Sequence, residues 1–205
     1  MGVMLSAAGS LRWLRDIVAP GVGFDELVAE AGRWPPGTEG LTFLPYLAGE
    51  RTPHADPAAR GAFAGLSVRH DRGALVRAVL EGVAFGLRDC LDVVAGEGAV
   101  PPEIGLASGG GARSEPWLRI VAAVLDLPLA RTAADEGAAF GAALLGGVAA
   151  GVWADTSEAV AATVRATATI DPDPADVARY AELRGRFRAL YPALCTTHDE
   201  RIATP

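Results

Sequence analysis

The chain has 205 residues, half of them hydrophobic, with a formal net charge of −7 and a pI near 5.0. That is enough apolar material for one large domain or two small ones, and the acidic balance excludes the concentrated basic face that nucleic acid or anionic lipid requires. All 18 basic residues are arginine, which excludes a Walker P-loop, a protein-kinase site and Schiff-base chemistry, each of which is built on a lysine.

Residues 1–8 carry no basic stretch ahead of an apolar run, so no secretory signal is expected. Leu5, Leu11, Leu14 and Val18 recur near helical spacing and predict an amphipathic helix over 4–18, ended by Pro20-Gly21. A short helix over 25–32 precedes the Trp34-Pro35-Pro36-Gly37 break, and a strand-like run follows over 41–47. Residues 48–68, rich in Gly, Pro, Asp, His and Arg without a period, read as an ordered surface loop. Leu75, Val79, Val83, Leu87, Leu91 and Val94 predict the longest helix, over 71–94, with Asp71 as its N-cap. Residues 104–107 then read as a buried strand, Gly109-Gly110-Gly111 as a turn, and Ser114-Glu115-Pro116-Trp117 as the start of a helix that stops at 126–128. A second strand is expected over 129–132.

Residues 137–154 carry no charge and reach the length of a membrane span, yet most are Gly and Ala, so insertion would be weak. A buried helix whose small residues admit a close neighbour is the expectation. From 155 onward the chain reads as helical, over 157–164 and 173–191, with Pro192 interrupting the second helix and the last residues frayed. Strands and helices in this order indicate an α/β layered domain with at least part of its sheet parallel. Cys90 and Cys195 stand far apart with no CxxC or histidine cluster, so neither a disulfide framework nor a zinc site is indicated, and a reducing cytoplasm fits.

The Gly109-Gly110-Gly111-Ala112 turn joins a strand to a helix N-terminus, where backbone N–H groups favour an anion; it reads as a nucleotide site or as a plain turn. Glu81, one position off the apolar stripe of the long helix, is expected half-buried and paired with Arg77 or Arg88. His54, His70 and His198 read as solvated loop histidines.

Several segments in order carry a resemblance. Leu44-Pro45-Tyr46-Leu47-Ala48-Gly49-Glu50-Arg51-Thr52-Pro53-His54, then Gly61-x-Phe63-x-Gly65-Leu66, seven residues, Ala74 and Leu75-x-x-Ala78-Val79-Leu80-Glu81-Gly82 resemble the FGGY carbohydrate kinases, most of all their xylulokinase branch. Ala74 departs from the pattern, where a polar residue is usual. Ser108-Gly109-Gly110-Gly111-Ala112-Arg113-Ser114-Glu115-Pro116-Trp117 looks like the family's adenosine-binding turn, and Glu136-Gly137-Ala138-Ala139-Phe140-Gly141 like the helix beside it.

The resemblance implies a two-domain actin-like, ribonuclease-H-like ATPase fold, of which this chain is an incomplete C-terminal domain with a helical tail. Residues 1–155 would be the nucleotide-side domain and 156–205 an extension packed on it. The cofactors implied are ATP and Mg²⁺, with Gly109, Gly110, Gly111 and Ala112 against the nucleotide. Glu115 is either an acceptor for the adenosine or a first-turn helix stabiliser. Arg51 and Arg60 face phosphate or pair with Glu50 or Asp56. An aspartate that takes the proton of the sugar hydroxyl belongs to the family's N-terminal part, and no aspartate here matches its motif, so no catalytic residue is assigned. The chain joins the family pattern mid-domain, and the expected partners are a sugar, ATP and the missing N-terminal half. An uncovered sheet edge and apolar helix faces would favour a homo-oligomer. Two alternatives stand: a kinase for glycerol, gluconate or ribulose, and a non-catalytic nucleotide- or partner-binding module.

Overall fold

The computed structural model describes residues 1–100, 102–133 and 137–195. Glu136, His198 and the chain end after Cys195 lie outside these residues.

Helix α1 spans Gly9–Val18 and buries Ser10 and Leu14. It starts later than the periodicity predicts because residues 3–5 run beside the loop instead. The Val3 N–H donates to Thr52 Oγ1, the Thr52 N–H to the Val3 carbonyl, and the Leu5 N–H to Glu50 Oε1. Helix α2 (Phe24–Ala31) carries Asp25 and Glu26 in its first turn, where the helix dipole favours them. Strand β1 (Thr42–Leu44) stops at Pro45, which has no N–H to donate, and pairs antiparallel with β2 (Ala62–Ala64), Phe43 opposite Phe63.

Helix α3 (Arg72–Gly96) is the spine, and Asp71 caps it by accepting the Ala74 N–H at 2.9 Å. Beyond it, β3 (Gly105–Ala107) runs parallel to β4 (Leu129–Thr132), with α4 (Glu115–Leu125) as the crossover. Helices α5 (Gly137–Ala149) and α6 (Thr156–Thr163) follow, then β5 (Ala166–Ile170), antiparallel to β4, and α7 (Pro174–Leu194). The second sheet is therefore mixed, in the order β3-β4-β5.

Leu27 of α2, Phe43 of β1, Val79 of α3, Val121 of α4 and Phe187 of α7 belong to one core cluster. Each such fully buried side chain contributes about 1.5–3 kcal/mol. Inside this core Glu81, 3% exposed, accepts from Arg77 Nε at 2.7 Å, Tyr180 Oη at 3.0 Å, Thr38 Oγ1 and the Gly37 N–H. It ties α7 and the turn before β1 to α3. Arg77 is thus the expected partner, while Arg88 bonds Asp92 and the Leu125 carbonyl.

Several sequence expectations need correction. Strand β3 is not buried, with Leu106 exposed because nothing pairs with its free edge among the described residues, and Glu81 is fully buried rather than half-buried. The stretch read as loop contains β2, and the tail read as wholly helical contains β5. Pro192 does not break α7: it lies in the last turn, where its missing N–H removes only one bond before the helix ends. Helix α5 is not buried. Of its described residues only Leu144 is, because α6 is its main neighbour. No helix among the described residues is long and apolar enough to cross a membrane.

Candidate nucleotide site

The chain leaves β3 through Ser108 and Gly109, whose φ of 81° is a left-handed conformation that a side chain would strain. Gly110–Arg113 forms a 3₁₀ turn, and Ser114 caps α4 by accepting the Trp117 N–H at 3.4 Å. The Ala112 N–H is spent inside the turn, donating to the Gly109 carbonyl at 3.0 Å, so Ala112 meets any ligand through shape rather than through its N–H. A Cβ on Gly111 would stand 2.1 Å from Trp117 Cζ3, whereas one on Gly110 would meet nothing within 4 Å. Gly111 is small because the indole lies against it; Gly110 is open to whatever approaches.

That turn forms one wall of a cavity of about 650 Å³. Facing it are Gly9, Leu11 and Arg12 of α1, with Phe24, Asp25 and Val28 of α2 to the side. Val79, Leu80 and Val83 of α3 make an apolar floor that belongs to the packed interior. On the other side of the turn a smaller cavity of about 320 Å³ is lined by Ser108, Arg113, Arg131, Thr132 and Thr167 at the carboxyl ends of β3 and β4. There Nε and Nη2 of Arg131 are buried without a hydrogen bond, and Nη2 lies 3.9 Å from Glu115 Oε2.

Glu115 opens α4 beside the turn, and its exposed carboxylate is held by Arg119 at 2.7 Å. The bond from Arg119 and its charge keep the Glu115 carboxyl below its ordinary value. Gly109, Gly110, Gly111 and Ala112 therefore lie on one turn with Glu115 just beyond it at the start of α4; Gly110 and Gly111 line the larger cavity and Ala112 the smaller. The other loop candidates lie elsewhere. Arg60 donates to the carbonyls of Pro57 and Ala59, and Arg51 meets Glu50 through its backbone N–H, not its guanidinium. His54 is half-buried rather than solvated, stacked on Tyr191 with ring centroids 3.6 Å apart, and burial lowers its pKa. His70 is likewise half-buried and accepts the Ser67 N–H.

Arg12 of α1 and Asp25 and Val28 of α2 are cavity residues that sequence reasoning did not mark, whereas Trp117 lies in the glycine-turn segment. Each of the three sits in a predicted helix with no local mark of function, because the cavity joins segments far apart in sequence. Among the described residues no three His, Cys, Asp or Glu side chains converge to hold a metal ion.

A parallel strand, a glycine turn and a helix N-terminus beside an apolar-floored cavity define an α/β domain with a candidate ligand site at the carboxyl end of its parallel strands. Residues 2–150 match the FGGY family of carbohydrate kinases, C-terminal domain, and the chain belongs to that family. It is 40% identical to the xylulose kinase of Escherichia coli (strain K12) over 195 residues, covering 95% of this chain. The crystal structure of xylulose kinase from Rhodospirillum rubrum superposes with a TM-score of 0.83 at 38% identity, over 96% of this chain and 40% of that one. Gluconate kinase from Lactobacillus acidophilus gives 0.85 at 27% identity, over 95% of this chain and 39% of that one. The chain spans 38–40% of the length of the first curated xylulose kinases it matches.

Proposed function

We propose that this chain supplies the nucleotide-side part of an ATP-dependent sugar kinase that converts D-xylulose to D-xylulose 5-phosphate in the cytoplasm. The observation that carries this reading is that Gly110 and Gly111 of the glycine turn line the cavity of about 650 Å³. Its apolar floor suits a nucleobase, and the open backbone at Gly110 allows close approach by ribose and phosphate. In this reading residues 1–155 are the nucleotide-side unit and 156–205 an extension of it, supported by the pairing of β5 with β4 and the packing of α7 on α4.

Phosphoryl transfer needs the sugar hydroxyl in line with the γ-phosphorus, a group to take its proton, and departure of ADP. This chain offers nucleotide positioning and no matching aspartate base, so an upstream region of the kinase is the required partner. Xylulose as the sugar is supported by the xylulose kinase relatives. The likeness to a gluconate kinase favours a second reading, in which the acceptor is another polyol or sugar acid.

The test is ADP release measured with D-xylulose, gluconate and glycerol, for the chain alone and mixed with the N-terminal region of a xylulose kinase. No turnover alone and turnover with D-xylulose in the mixture is the expected result. Turnover by the 205 residues alone would refute the missing-base argument.

A further inference from the structure

We propose that the smaller cavity, at the carboxyl ends of β3 and β4, is a second binding site whose ligand carries a phosphoryl group, held by the guanidinium of Arg131. The site lies outside the function proposed above: its lining and that of the larger cavity share Arg113 and no other residue.

The pairing of the sheet makes the space. Arg131 stands on β4, the central strand, directly beside Ala107 of β3 and Ala168 of β5. Two alanines as neighbours leave the sheet face open around a long side chain. Just past Arg131 the register between β4 and β5 shifts, the kind of irregularity that ends regular pairing beside binding sites. The resulting volume, about 320 Å³, falls at the lower end of the range for small-molecule sites.

Its chemistry is that of an anion receptor. Nε and Nη2 of Arg131 are buried and donate to nothing, although a desolvated charged donor is costly to leave unmatched. These two nitrogens share one edge of the guanidinium, the edge by which Arg72 grips both carboxylate oxygens of Glu30 elsewhere in this chain. In Arg131 that fork is empty. The carboxylate of Glu115 stands 3.9 Å from Nη2, beyond hydrogen-bond reach, and is held by Arg119 instead. The Arg131 side chain lines the cavity and is 27% exposed, so rotation of its last torsions brings the fork to a ligand there. No carboxylate is among the described lining residues, while Arg113 adds a second positive charge and Ser108 a hydroxyl. A planar carboxylate would satisfy the fork alone; a tetrahedral phosphoryl group has further oxygens for Arg113 and Ser108.

The test is calorimetric titration of the whole chain with inorganic phosphate and with ribose 5-phosphate, each without and with saturating ATP. Phosphoryl binding should be measurable in both conditions. Arg131→Gln should weaken it by about tenfold or more, and Arg131→Lys, which keeps the charge and loses the fork, should restore less than half of that loss. Phosphate should raise the thermal midpoint of the parent and not of Arg131→Gln. Without phosphate the midpoint of that variant should equal or exceed the parent's, because the donors it loses have no acceptor. Tighter binding of ribose 5-phosphate identifies an ester as the ligand and tighter binding of phosphate the free ion; both support the site. No phosphate binding by the parent would overturn the proposal, and so would Arg131→Gln binding as the parent does, or a lower midpoint for that variant, which marks a structural arginine. Loss of the binding at saturating ATP would also overturn it, since phosphate would then occupy the nucleotide's own site. A parent that binds phosphate and not ATP would fail the nucleotide reading alone.

Discussion

Two buried carboxylates show how differently one residue type is accommodated. Glu81 has donors from four groups around it, and removing it would leave Arg77 buried without its partner, at a cost of about 3–5 kcal/mol. Glu50 is 2% exposed; its Oε1 accepts the Leu5 and Arg51 N–H groups, while Oε2 is buried with no partner. Burial raises the Glu50 pKa against the opposing pull of those backbone bonds. A carboxyl whose folded pKa lies above its unfolded value stabilises the fold at low pH and loses that contribution as pH rises through the folded pKa. Glu50→Gln should therefore raise stability at pH 7.5 by about 1 kcal/mol and flatten the gain the parent shows on acidification to pH 5.5. Urea unfolding at the two pH values measures this, and an unchanged pH dependence would show that Glu50 is not the group responsible. The Glu81–Arg77 pair was legible in the sequence because i,i+4 spacing on a helix brings side chains together. The orphaned oxygen of Glu50 and the stacking of His54 on Tyr191 were not, since both depend on packing between distant segments.

Among the elements, long ones with strong periodicity were readable and short ones were not. Helix α3 was legible from its apolar stripe and the Asp71 cap, and α4 from Ser114 and Pro116 at its start. Strand β2 is three residues, Ala-Phe-Ala, too short to show alternation amid loop residues. Strand β5 does alternate, Ala-Thr-Ala-Thr-Ile, but its alanines suit a helix equally and only pairing with β4 decides the outcome. At the turn after β3, three adjacent glycines look alike in sequence and differ in cause. Gly110→Ala should leave the thermal midpoint unchanged and weaken ATP binding, because its methyl group meets no protein atom and narrows the approach. Gly111→Ala should destabilise by about 1–3 kcal/mol, because its methyl group collides with the Trp117 ring. Matching effects of the two variants on thermal midpoint would refute that distinction.

Over the whole molecule, exposed large apolar side chains are spread along the chain, from Ile17 of α1 and Val68 of the loop to the later elements. Leu145 of α5 is 60% exposed and Leu106 of β3 is 61% exposed. The edge of β3 away from β4 carries no strand among the described residues. Such a surface buries itself against a partner or another copy. Sedimentation of the isolated chain should show concentration-dependent association. Leu145→Glu should weaken it without lowering stability, and a compact monomer at all concentrations would count against the exposed face being sticky. The family was legible from linked motifs, whereas the cavity was not, because α1, α2 and α3 converge on the glycine turn only after folding. Hydrogen–deuterium exchange of the isolated chain with and without ATP tests the account most directly. ATP should slow exchange over 109–115 and over 9–12 while leaving α6 and β5 unchanged; exchange unaltered in both segments at saturating ATP would contradict the nucleotide site.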